Sequence, residues 1–334
     1  MIYNILHDIE SIFKKQNFEL LTFHHAENKK SKFCFDFLVK KSNLFYLVKV
    51  FPNIDNLNES VIENIKVLCQ LLNCKPILIG IKNRYHNLED NTIYIRDDLP
   101  FISVKTLFKI LNDDIYPYYL SRKGGKVVFL NGDLMKTLRE QKNISRRKLS
   151  EKLGVTKRTL CSYENENLRP SQEIAEELLD TLQEKTIFKK INVFEWHFEL
   201  DFENKDFIKT RELTDFESHL QEIFKDIGIT TIWYKRGQVP FEFSICSKDF
   251  FLKSDSEFYP LFSGLSQENA KINKLNLEYL RSFANMVHKN ALFIVNNDFK
   301  IPSIFKRVKL PVIKVKNLEQ VDNEEDFKEI VHEN

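Results

Sequence analysis

The sequence predicts an α/β (α+β) domain at each end of the chain, flanking an all-α module. Three observations indicate this arrangement. The 334 residues are enough for two or three domains, each with its own core. Short apolar runs alternate with amphipathic helical patterns before residue 112 and again after residue 190. Between these regions, Ile144–Asn165 carries two short helical patterns separated by a glycine.

The N-terminal α/β region, residues 1–112, alternates helices and strands. Helices are predicted at about Tyr3–Lys15 and Glu59–Leu72, and Ser103 is the expected N-cap of a third. The strands are predicted at about Phe18–Phe23, Phe33–Val39, Leu44–Phe51, Pro76–Ile81 and Thr92–Ile95. The short turn Lys40–Asn43 indicates a hairpin between the second and third strands.

The C-terminal α/β region, residues 190–334, repeats this pattern. Its segment "PFEFSICSKDFFLKS" resembles the earlier hairpin, and a helix at about Leu275–Val287 and strands at Ala291–Val295 and Leu310–Val315 follow. We interpret it as a diverged repeat of the N-terminal region. A hairpin connector is expected at 113–131, with Gly124 and Gly125 at its turn, and the all-α module at 132–185.

Positive charge is concentrated in one segment of the chain. From Arg122 to Arg169 there are 13 lysine and arginine residues against 5 acidic residues, a local charge of +8. Because the formal net charge is only +2, the remainder of the chain carries −6. A confined basic zone is typical of a module that binds a polyanion such as nucleic acid.

The central segment has the spacing of two short helices joined by a tight turn. The helices are expected at about Arg146–Leu153 and Lys157–Asn165, with Ser145 and Thr156 as their N-caps. Gly154 at the turn readily supplies a positive φ. The large apolar residues of the segment are Leu149, Leu153, Val155, Leu160 and Tyr163. This is the plan of a helix-turn-helix, whose second helix enters the major groove.

Two amphipathic segments, Gly132–Asn143 and Ser171–Leu182, flank these helices, with Ser171 as the expected N-cap of the latter. The run "LREQKNISRRKLSEKLGVTKRTLCSYENENLRPS" resembles the Cro/C1-type helix-turn-helix family of phage repressors. The resemblance implies binding to double-stranded DNA, with bases read from the second helix and phosphates held around it. The residues implied are Thr156, Lys157, Arg158 and Ser162 for bases, Thr159 near the DNA backbone, and Arg146, Asn165 and Arg169 for phosphates, with Arg147 in the same set.

The hairpin "SRKGGK" is a second candidate for contact with DNA. Arg122, Lys123 and Lys126 on its tip could reach the DNA backbone or the minor groove. An exposed, charged turn without a function explains the same residues equally well.

The stretch "FCFDFLVKKSNLFYLVKV" resembles the core of the PD-(D/E)xK nuclease fold, in which two carboxylates hold a divalent metal and a lysine assists. Asp36 matches the first acid and Lys49 the lysine, and Glu10 could stand for an accessory acid. Leu47 occupies the place of the second acid, and leucine cannot bind Mg²⁺, which needs oxygen ligands. The C-terminal region has Ser244 at the place assigned to Asp36. These departures from the pattern favour a degenerate, non-catalytic domain without a metal, and another kind of α/β layer is the alternative.

The chain as a whole, with "FLVKKSNLFYLVKVFPNIDNL" before the central module, resembles a family of predicted archaeal helix-turn-helix transcription regulators. We therefore expect a sequence-specific DNA-binding transcriptional regulator that is not an enzyme. It would act as a homodimer, with its flanking domains serving dimerisation or the sensing of an unknown effector. A metal-dependent nuclease or resolvase-like enzyme and an RNA-binding or antitoxin-like protein are the alternatives.

Other function classes find no support in the sequence. No apolar run of about 18 residues predicts a membrane span. The five cysteines form no C-x-x-C pair and are typical of reduced thiols, so we expect a cytoplasmic location. Phosphate-binding glycine motifs and the nucleophile motif of hydrolases are absent, and we expect no cofactor.

Overall fold

The computed structural model describes residues 2–23, 33–122, 125–197, 211–248, 258–267, 272 and 274–333. Within these ranges the helices are α1 (Ile2–Lys15), α2 (Glu59–Leu71), α3 (Val104–Asp113), α4 (Gly132–Gln141), α5 (Arg146–Lys152), α6 (Lys157–Glu164), α7 (Gln172–Leu182), α8 (Asp215–Asp226), α9 (Lys274–Met286), α10 (Ile304–Val308), α11 (Val315–Leu318) and α12 (Glu324–Glu333). The strands are β1 (Glu19–Thr22), β2 (Phe37–Lys41), β3 (Leu44–Asn53), β4 (Lys75–Lys82), β5 (Thr92–Arg96), β6 (Leu99–Ile102), β7 (Tyr119–Arg122), β8 (Gly125–Val128), β9 (Ile229–Trp233), β10 (Phe243–Ser247), β11 (Leu261–Ser266), β12 (Ala291–Val295) and β13 (Val312–Lys314).

The strands form two sheets. The eight-stranded sheet has the order β1-β2-β3-β4-β6-β5-β7-β8, and the five-stranded sheet has the order β13-β12-β11-β10-β9. In the second sheet β9, β10 and β11 are antiparallel neighbours, whereas β12 and β13 run parallel to the strand before them. No described helix is long and apolar enough to span a membrane.

The element order of the two α/β regions corresponds, except that β5 lies between β4 and β6 in the first and α10 lies between β12 and β13 in the second. The N-terminal region runs α1-β1-β2-β3-α2-β4 and then β6, and its sheet has the order β1-β2-β3-β4-β6. The C-terminal region runs α8-β9-β10-β11-α9-β12 and then β13, with the sheet order β9-β10-β11-β12-β13. This correspondence is what a diverged repeat requires, and it supports the interpretation made from the sequence.

The chain divides into two compact units. The first comprises Met1–Asn17, Val50–Asn56 and Ile77–Phe198, and it contains the helices α4 to α7. The second comprises Phe18–Lys49, Leu57–Pro76 and Glu199–Asn334. Residues of the N-terminal region are divided between the two units. The boundaries of the units therefore differ from the domain boundaries that the sequence suggested.

The first unit packs the helices α4 to α7 and the β7–β8 hairpin around one core. Its buried residues are Val128, Leu130, Met135, Leu149, Leu153, Leu160, Tyr163, Ala175, Leu178, Leu182, Ile187 and Phe188. Backbone bridges join Val127 to Ser171 and Leu130 to Phe188. The hairpin is therefore part of the helical module's core as well as the edge of the eight-stranded sheet, because β7 pairs with β5.

Aromatic rings fill the core of the second unit. Phe283 of α9 lies at its centre and contacts Phe35, Phe241 and Phe262, with ring centroids 5.8, 5.2 and 5.0 Å away. Rings at such separations gain dispersion and quadrupole energy beyond simple burial. Phe35 and Phe241 each precede an acidic residue, so this packing fixes the backbone directly before those acids.

Most predicted elements are confirmed, with shifted ends. Residues 33–36 are not strand, and β2 begins only at Phe37. β6 was not predicted, because its four residues "LPFI" are too short to show a period. The predicted strand Leu310–Val315 is shorter, since α11 begins at Val315. In the segment 240–254, β10 is confirmed, but its partner is β11, and residues 249–254 lie outside the described residues.

Helix caps follow the predictions with one exception. Ser103 accepts a hydrogen bond from the backbone N–H of Thr106 and caps α3. Ser171 occupies the N-cap position of α7, but its side chain makes no capping hydrogen bond. The prediction for Ser171 was therefore right in position and wrong in its interaction.

Two glycines of the first unit allow a matched test of steric and conformational demands. A Cβ on Gly132 would lie 2.0 Å from the backbone oxygen of Glu164, whereas a Cβ on Gly154, at φ +66°, would meet nothing within 4 Å. Gly154→Ala should cost about 1–2 kcal/mol of unfolding free energy, the usual penalty of a left-handed backbone. Gly132→Ala should cost more, because α4 and α6 must separate. Urea denaturation followed by circular dichroism measures both, and equal losses would contradict this packing.

Candidate nucleic-acid interface

The turn between α5 and α6 is built by the residues that the sequence indicated. Ser145 Oγ accepts from the N–H of Lys148 at 3.2 Å, and Thr156 Oγ1 accepts from the N–H of Thr159 at 3.0 Å. Each hydrogen bond satisfies one of the unpaired amides at a helix N-terminus. Gly154 adopts the expected positive φ of 66°. The helices end at Lys152 and Glu164, one residue before the predicted ends.

The start of α6 presents cationic side chains to solvent. Thr156, Lys157 and Arg158 are exposed, whereas Thr159 and Ser162 are half-buried. Ser162 Oγ donates to the carbonyl of Arg158 at 3.1 Å, and the hydroxyls of Thr156 and Thr159 bond to each other at 2.9 Å. Lys157 and Arg158 are therefore the donors best placed to reach outward, and their types suit the O6 and N7 acceptors of guanine.

A buried carboxylate holds α6 against α4 and α5. Glu164, at the end of α6, is 4% exposed. Its Oε1 accepts from Arg139 Nε at 2.6 Å, and its Oε2 accepts from Arg146 Nε at 2.7 Å. Arg139 is itself buried and also donates to the carbonyl of Ile144 at 3.0 Å. The two arginines come from α4 and α5, so one carboxylate fixes all three helices.

Arg146 combines this structural contact with an accessible surface. Its side chain is 44% exposed although its Nε is bonded to Glu164. The hydrogen bond and the charge of Glu164 raise the pKa of the Arg146 guanidinium, which therefore stays charged. The sequence assigned Arg146 to phosphate alone. In the structure it also belongs to the interior ion-pair network.

The other predicted phosphate contacts lie at the surface. Arg147 is exposed and its Nε pairs with Glu151 at 2.7 Å along α5. Asn165 is exposed at the C-cap of α6. The guanidinium of Arg169 lies 4.0 Å from the ring centroid of Phe129. Burial, and then the nearby charge of Arg122, lower the pKa of Arg169, so two cations lie close together here.

The hairpin residues divide into two groups. Arg122 is exposed at the end of β7, where it pairs with Gly125 across the turn. Lys126 is mostly buried and its ammonium pairs with Glu89. Lys123 lies outside the described residues. Of the described hairpin cations, Arg122 is therefore the one with an open surface.

The residues of the nuclease-like site in the N-terminal region come together as an ion pair. Lys49 Nζ lies 3.0 Å from Asp36 Oδ1 and donates to the carbonyl of Phe33 at 2.7 Å. Asp36 is 5% exposed, and Leu47 is fully buried. Among the described residues no group of three or more His, Cys, Asp or Glu side chains could hold a metal ion. Asp36 and Lys49 thus lie together as the resemblance implies, whereas the apolar Leu47 occupies the place of the second acid.

Hydrogen-bond register corrects the equivalence drawn for the C-terminal region. The N–H of Asp36 donates to Val48 and its carbonyl accepts from Phe23, at 2.8 and 3.1 Å. The N–H of Glu242 donates to Ser263 and its carbonyl accepts from Tyr234, at the same two distances.

Glu242, and not Ser244, therefore holds the position of Asp36. Ser244 pairs with Phe262 within β10 and β11, one residue beyond the pair Phe243–Ser263. The prediction for Ser244 was wrong because it aligned the two regions on their apolar strand runs. The repeated triplet Phe-acid-Phe, at Phe35–Phe37 and Phe241–Phe243, was the evidence in the sequence that could have found Glu242.

Family models match both parts of this description. A PD-(D/E)XK superfamily domain matches residues 3–117, and a helix-turn-helix domain matches residues 135–188. No solved structure shows a significant match to the chain. The helix-turn-helix match covers α5, α6, α7 and most of α4, together with the residues that form the core of the module after α7.

Relatives extend the similarity over most of the chain. A protein of Methanococcoides burtonii is 29% identical over 303 residues, which is 90% of this chain and 88% of the relative. A protein of Pyrococcus abyssi is 24% identical over 325 residues, covering 97% and 95% of the two chains. A protein of Archaeoglobus fulgidus is 31% identical over 238 residues, covering 70% and 72%. Each is named a "Putative HTH-type transcriptional regulatory protein".

The chain belongs to this HTH-type regulator family. The similarity extends beyond the helix-turn-helix into the regions on either side of it, since it covers 90% or more of the chain in two of these relatives. Membership of the HTH-type regulator family therefore concerns the whole arrangement, with a nuclease-like domain before the helical module.

Sequence reasoning missed two residues that organise this member of the HTH-type regulator family. Arg139 and Glu164 were counted only as charges of the basic segment, although both are buried. Their spacing of 25 residues carries no local pattern. Arg139 follows Met135, and Glu164 follows Leu160, by four residues, so each charged residue lies on the buried face of its helix. This spacing could have indicated that both residues are buried.

Removing Glu164 should destabilise the module far more than removing a surface acid on the same module. Glu164→Ala leaves the buried Arg139 with only the exposed Glu140 as an ion-pair partner, which should cost on the order of 3–5 kcal/mol of unfolding free energy. Glu151→Ala is the control, since the Arg147–Glu151 pair is exposed and should contribute less than about 1 kcal/mol. Chemical denaturation gives both values. Similar losses for the two variants would show that Glu164 does not hold the helices together.

Proposed function

We propose that this protein is a sequence-specific regulator of transcription that binds double-stranded DNA through α6 in the major groove. The observation that carries the proposal is the exposed start of α6, where Lys157 and Arg158 project from a helix whose orientation is fixed by Glu164. A rigid helix with outward donors is what direct readout of base edges requires. The names of the relatives agree with this function.

Phosphate contacts would surround the recognition helix. Arg146, Arg147 and Asn165 lie at its flanks, while Arg169 and Arg122 extend the cationic surface toward the hairpin. Two neighbouring guanidinium groups repel each other, and a phosphate between them would remove that cost. Such contacts set position and affinity and carry no sequence information.

The flanking α/β regions would provide dimerisation or effector sensing. One recognition helix reads few base pairs, whereas two related by a two-fold axis read a palindrome with half-sites about 34 Å apart. Selection of bound sequences from random DNA, together with the mass of the complex in solution, tests this proposal. A palindromic site bound by two chains supports it. A monomer that shows no sequence preference overturns it.

A metal-dependent nuclease is the second candidate, and the match of a PD-(D/E)XK domain to residues 3–117 favours it. The apolar Leu47 at the place of the second acid argues against it, because a divalent metal needs several oxygen ligands. We therefore propose that the N-terminal region is a scaffold derived from a nuclease.

The nuclease alternative gives a direct prediction. The full chain, incubated with Mg²⁺ or Mn²⁺ and duplex or branched DNA, should leave the DNA intact, because Leu47 occupies the place of the second carboxylate that the metal needs. Gel electrophoresis measures the outcome. Metal-dependent cleavage that disappears in Asp36→Asn would overturn our preference, provided that circular dichroism shows this variant to be folded.

Arg158 and Arg146 should affect DNA binding in different ways. Arg158→Ala removes a fork-shaped donor set from the recognition helix, so it should cost on the order of 1–3 kcal/mol at one base position and relax specificity there. Arg146→Ala should weaken binding to all sequences about equally and lower the salt slope by about one. Titration of cognate and single-mismatch duplexes across a salt series separates the two effects.

Folding and docking need separate controls in this comparison. Arg146→Ala also removes one partner of Glu164, so its unfolding midpoint must be measured beside its affinity. Arg147→Ala is the matched variant, because Arg147 lies next to it on α5 and pairs only at the surface. If Arg146→Ala changes base preference and Arg158→Ala does not, the assumed orientation of the module on DNA is wrong.

A further inference from the structure

The negative charge of Glu242 is only partly compensated by the groups around it. It directly precedes β10, and its side chain is 32% exposed. Its Oε2 is buried and has no hydrogen-bond partner among the described residues. The nearest cation in an ion pair with it is Arg211, whose Nη2 lies 3.5 Å from Oε2, too far for a good hydrogen bond. Burial raises the pKa of Glu242.

Arg211 donates its short hydrogen bonds to the carboxylate of Glu217 and not to Glu242. Its Nη1 and Nη2 donate to the two oxygens of Glu217 at 2.6 and 2.7 Å, and its Nε donates to the carbonyl of Tyr234 at 2.9 Å. Glu217 also accepts from Arg236 Nη2 at 3.0 Å and from the N–H of Thr214 at 2.9 Å. Although burial opposes it, these bonds lower the pKa of Glu217 to about 2. Arg211 therefore compensates Glu217 first and Glu242 only weakly.

The equivalent position in the N-terminal region has a cationic partner that Glu242 lacks. There the equivalent acid, Asp36, receives the ammonium of Lys49 from the neighbouring strand at 3.0 Å. Continuing the two registers by one residue, Lys49 corresponds to Gly264. A Cβ on Gly264 would lie 2.3 Å from a ring carbon of Phe293, so the ring takes the space where a side chain would begin. No ammonium can reach Glu242 from this strand position.

A cavity of about 220 Å³ opens beside Glu242. Its lining residues are Thr214, Phe216, Glu217, Arg236, Glu242, Leu265, Ser266 and Gln267. Arg236 gives one nitrogen to Glu217 and keeps 60% of its side chain exposed. The walls thus carry a carboxylate with one oxygen that lacks a hydrogen-bond donor, and a guanidinium with nitrogens that are not bonded to Glu217. The volume is smaller than the roughly 300–1,000 Å³ of sites for drug-sized ligands.

We propose that this cavity binds a small zwitterion of the α-amino acid class. The ligand's ammonium would donate to Glu242, in the role that Lys49 has at Asp36, and its carboxylate would accept from Arg236. Charge-assisted hydrogen bonds of both kinds are strong because each partner is ionised. A simple cation would be repelled by Arg236 and a simple anion by Glu242, so a ligand with both charges fits this pair of groups best.

The experiment uses the full chain without DNA, so its result does not depend on the proposed DNA-binding function. Isothermal titration with each of the proteinogenic amino acids, at up to millimolar concentration, identifies a ligand. For that ligand, the N-acetyl derivative lacks the ammonium and the amide lacks the carboxylate. Each derivative should bind at least about tenfold more weakly, since each loses a hydrogen bond between charged groups.

Variants assign the two contacts to the cavity. Glu242→Gln and Arg236→Gln should each weaken binding by about tenfold or more, while Glu222→Gln on the exposed side of α8 should leave it unchanged. The proposal is overturned if no amino acid binds, if both derivatives bind as well as the parent, or if the ligand binds equally to folded Glu242→Gln. The two derivatives keep the test decisive on the unaltered protein even where a variant fails to fold.

Discussion

The recognition surface of this protein depends on one buried carboxylate. An ionised carboxylate in the interior is costly unless charged hydrogen-bond donors surround it, and Glu164 has two of them from two other helices. Because these contacts are directional, they restrict the angles at which α4, α5 and α6 can cross. The direction in which Lys157 and Arg158 point therefore depends on the orientation of α6 that these contacts set. Hydrophobic packing alone, through Leu149 and Leu160, would hold the helices together with less control of angle.

The two α/β regions show how one backbone arrangement tolerates different charge. At the position shared by Asp36 and Glu242 the hydrogen bonds of the main chain are the same. In the N-terminal region the neighbouring strand supplies the compensating charge, and in the C-terminal region an aromatic ring has replaced it. Aromatic packing around Phe283 reaches the residue before each acid, through Phe35 and Phe241. The same packing therefore accompanies two different charge environments.

Much of the helical module could be predicted from the sequence because its determinants are local. Caps at Ser145 and Thr156 and the glycine turn act within a few residues, and the structure confirms each of them. The Arg139–Glu164 contact and the strand register that makes Glu242 equivalent to Asp36 depend on pairing between distant segments. The division into compact units could not be predicted for the same reason, because residues 18–49 belong to the same unit as residues 199–334.

The hairpin before the module has a consequence for how the DNA-binding part can be handled. Val128 and Leu130 before α4, and Ile187 and Phe188 after α7, complete the core in which Leu149 and Leu160 are buried. A fragment that contains only the four helices would lack these residues and expose the core. A fragment used for DNA-binding studies should therefore include the hairpin and the residues after α7. In the intact chain the same joint connects α7 to the edge of a sheet through β8. The edge strand and the recognition helix therefore share one core, in which Val128 and Leu160 are both buried.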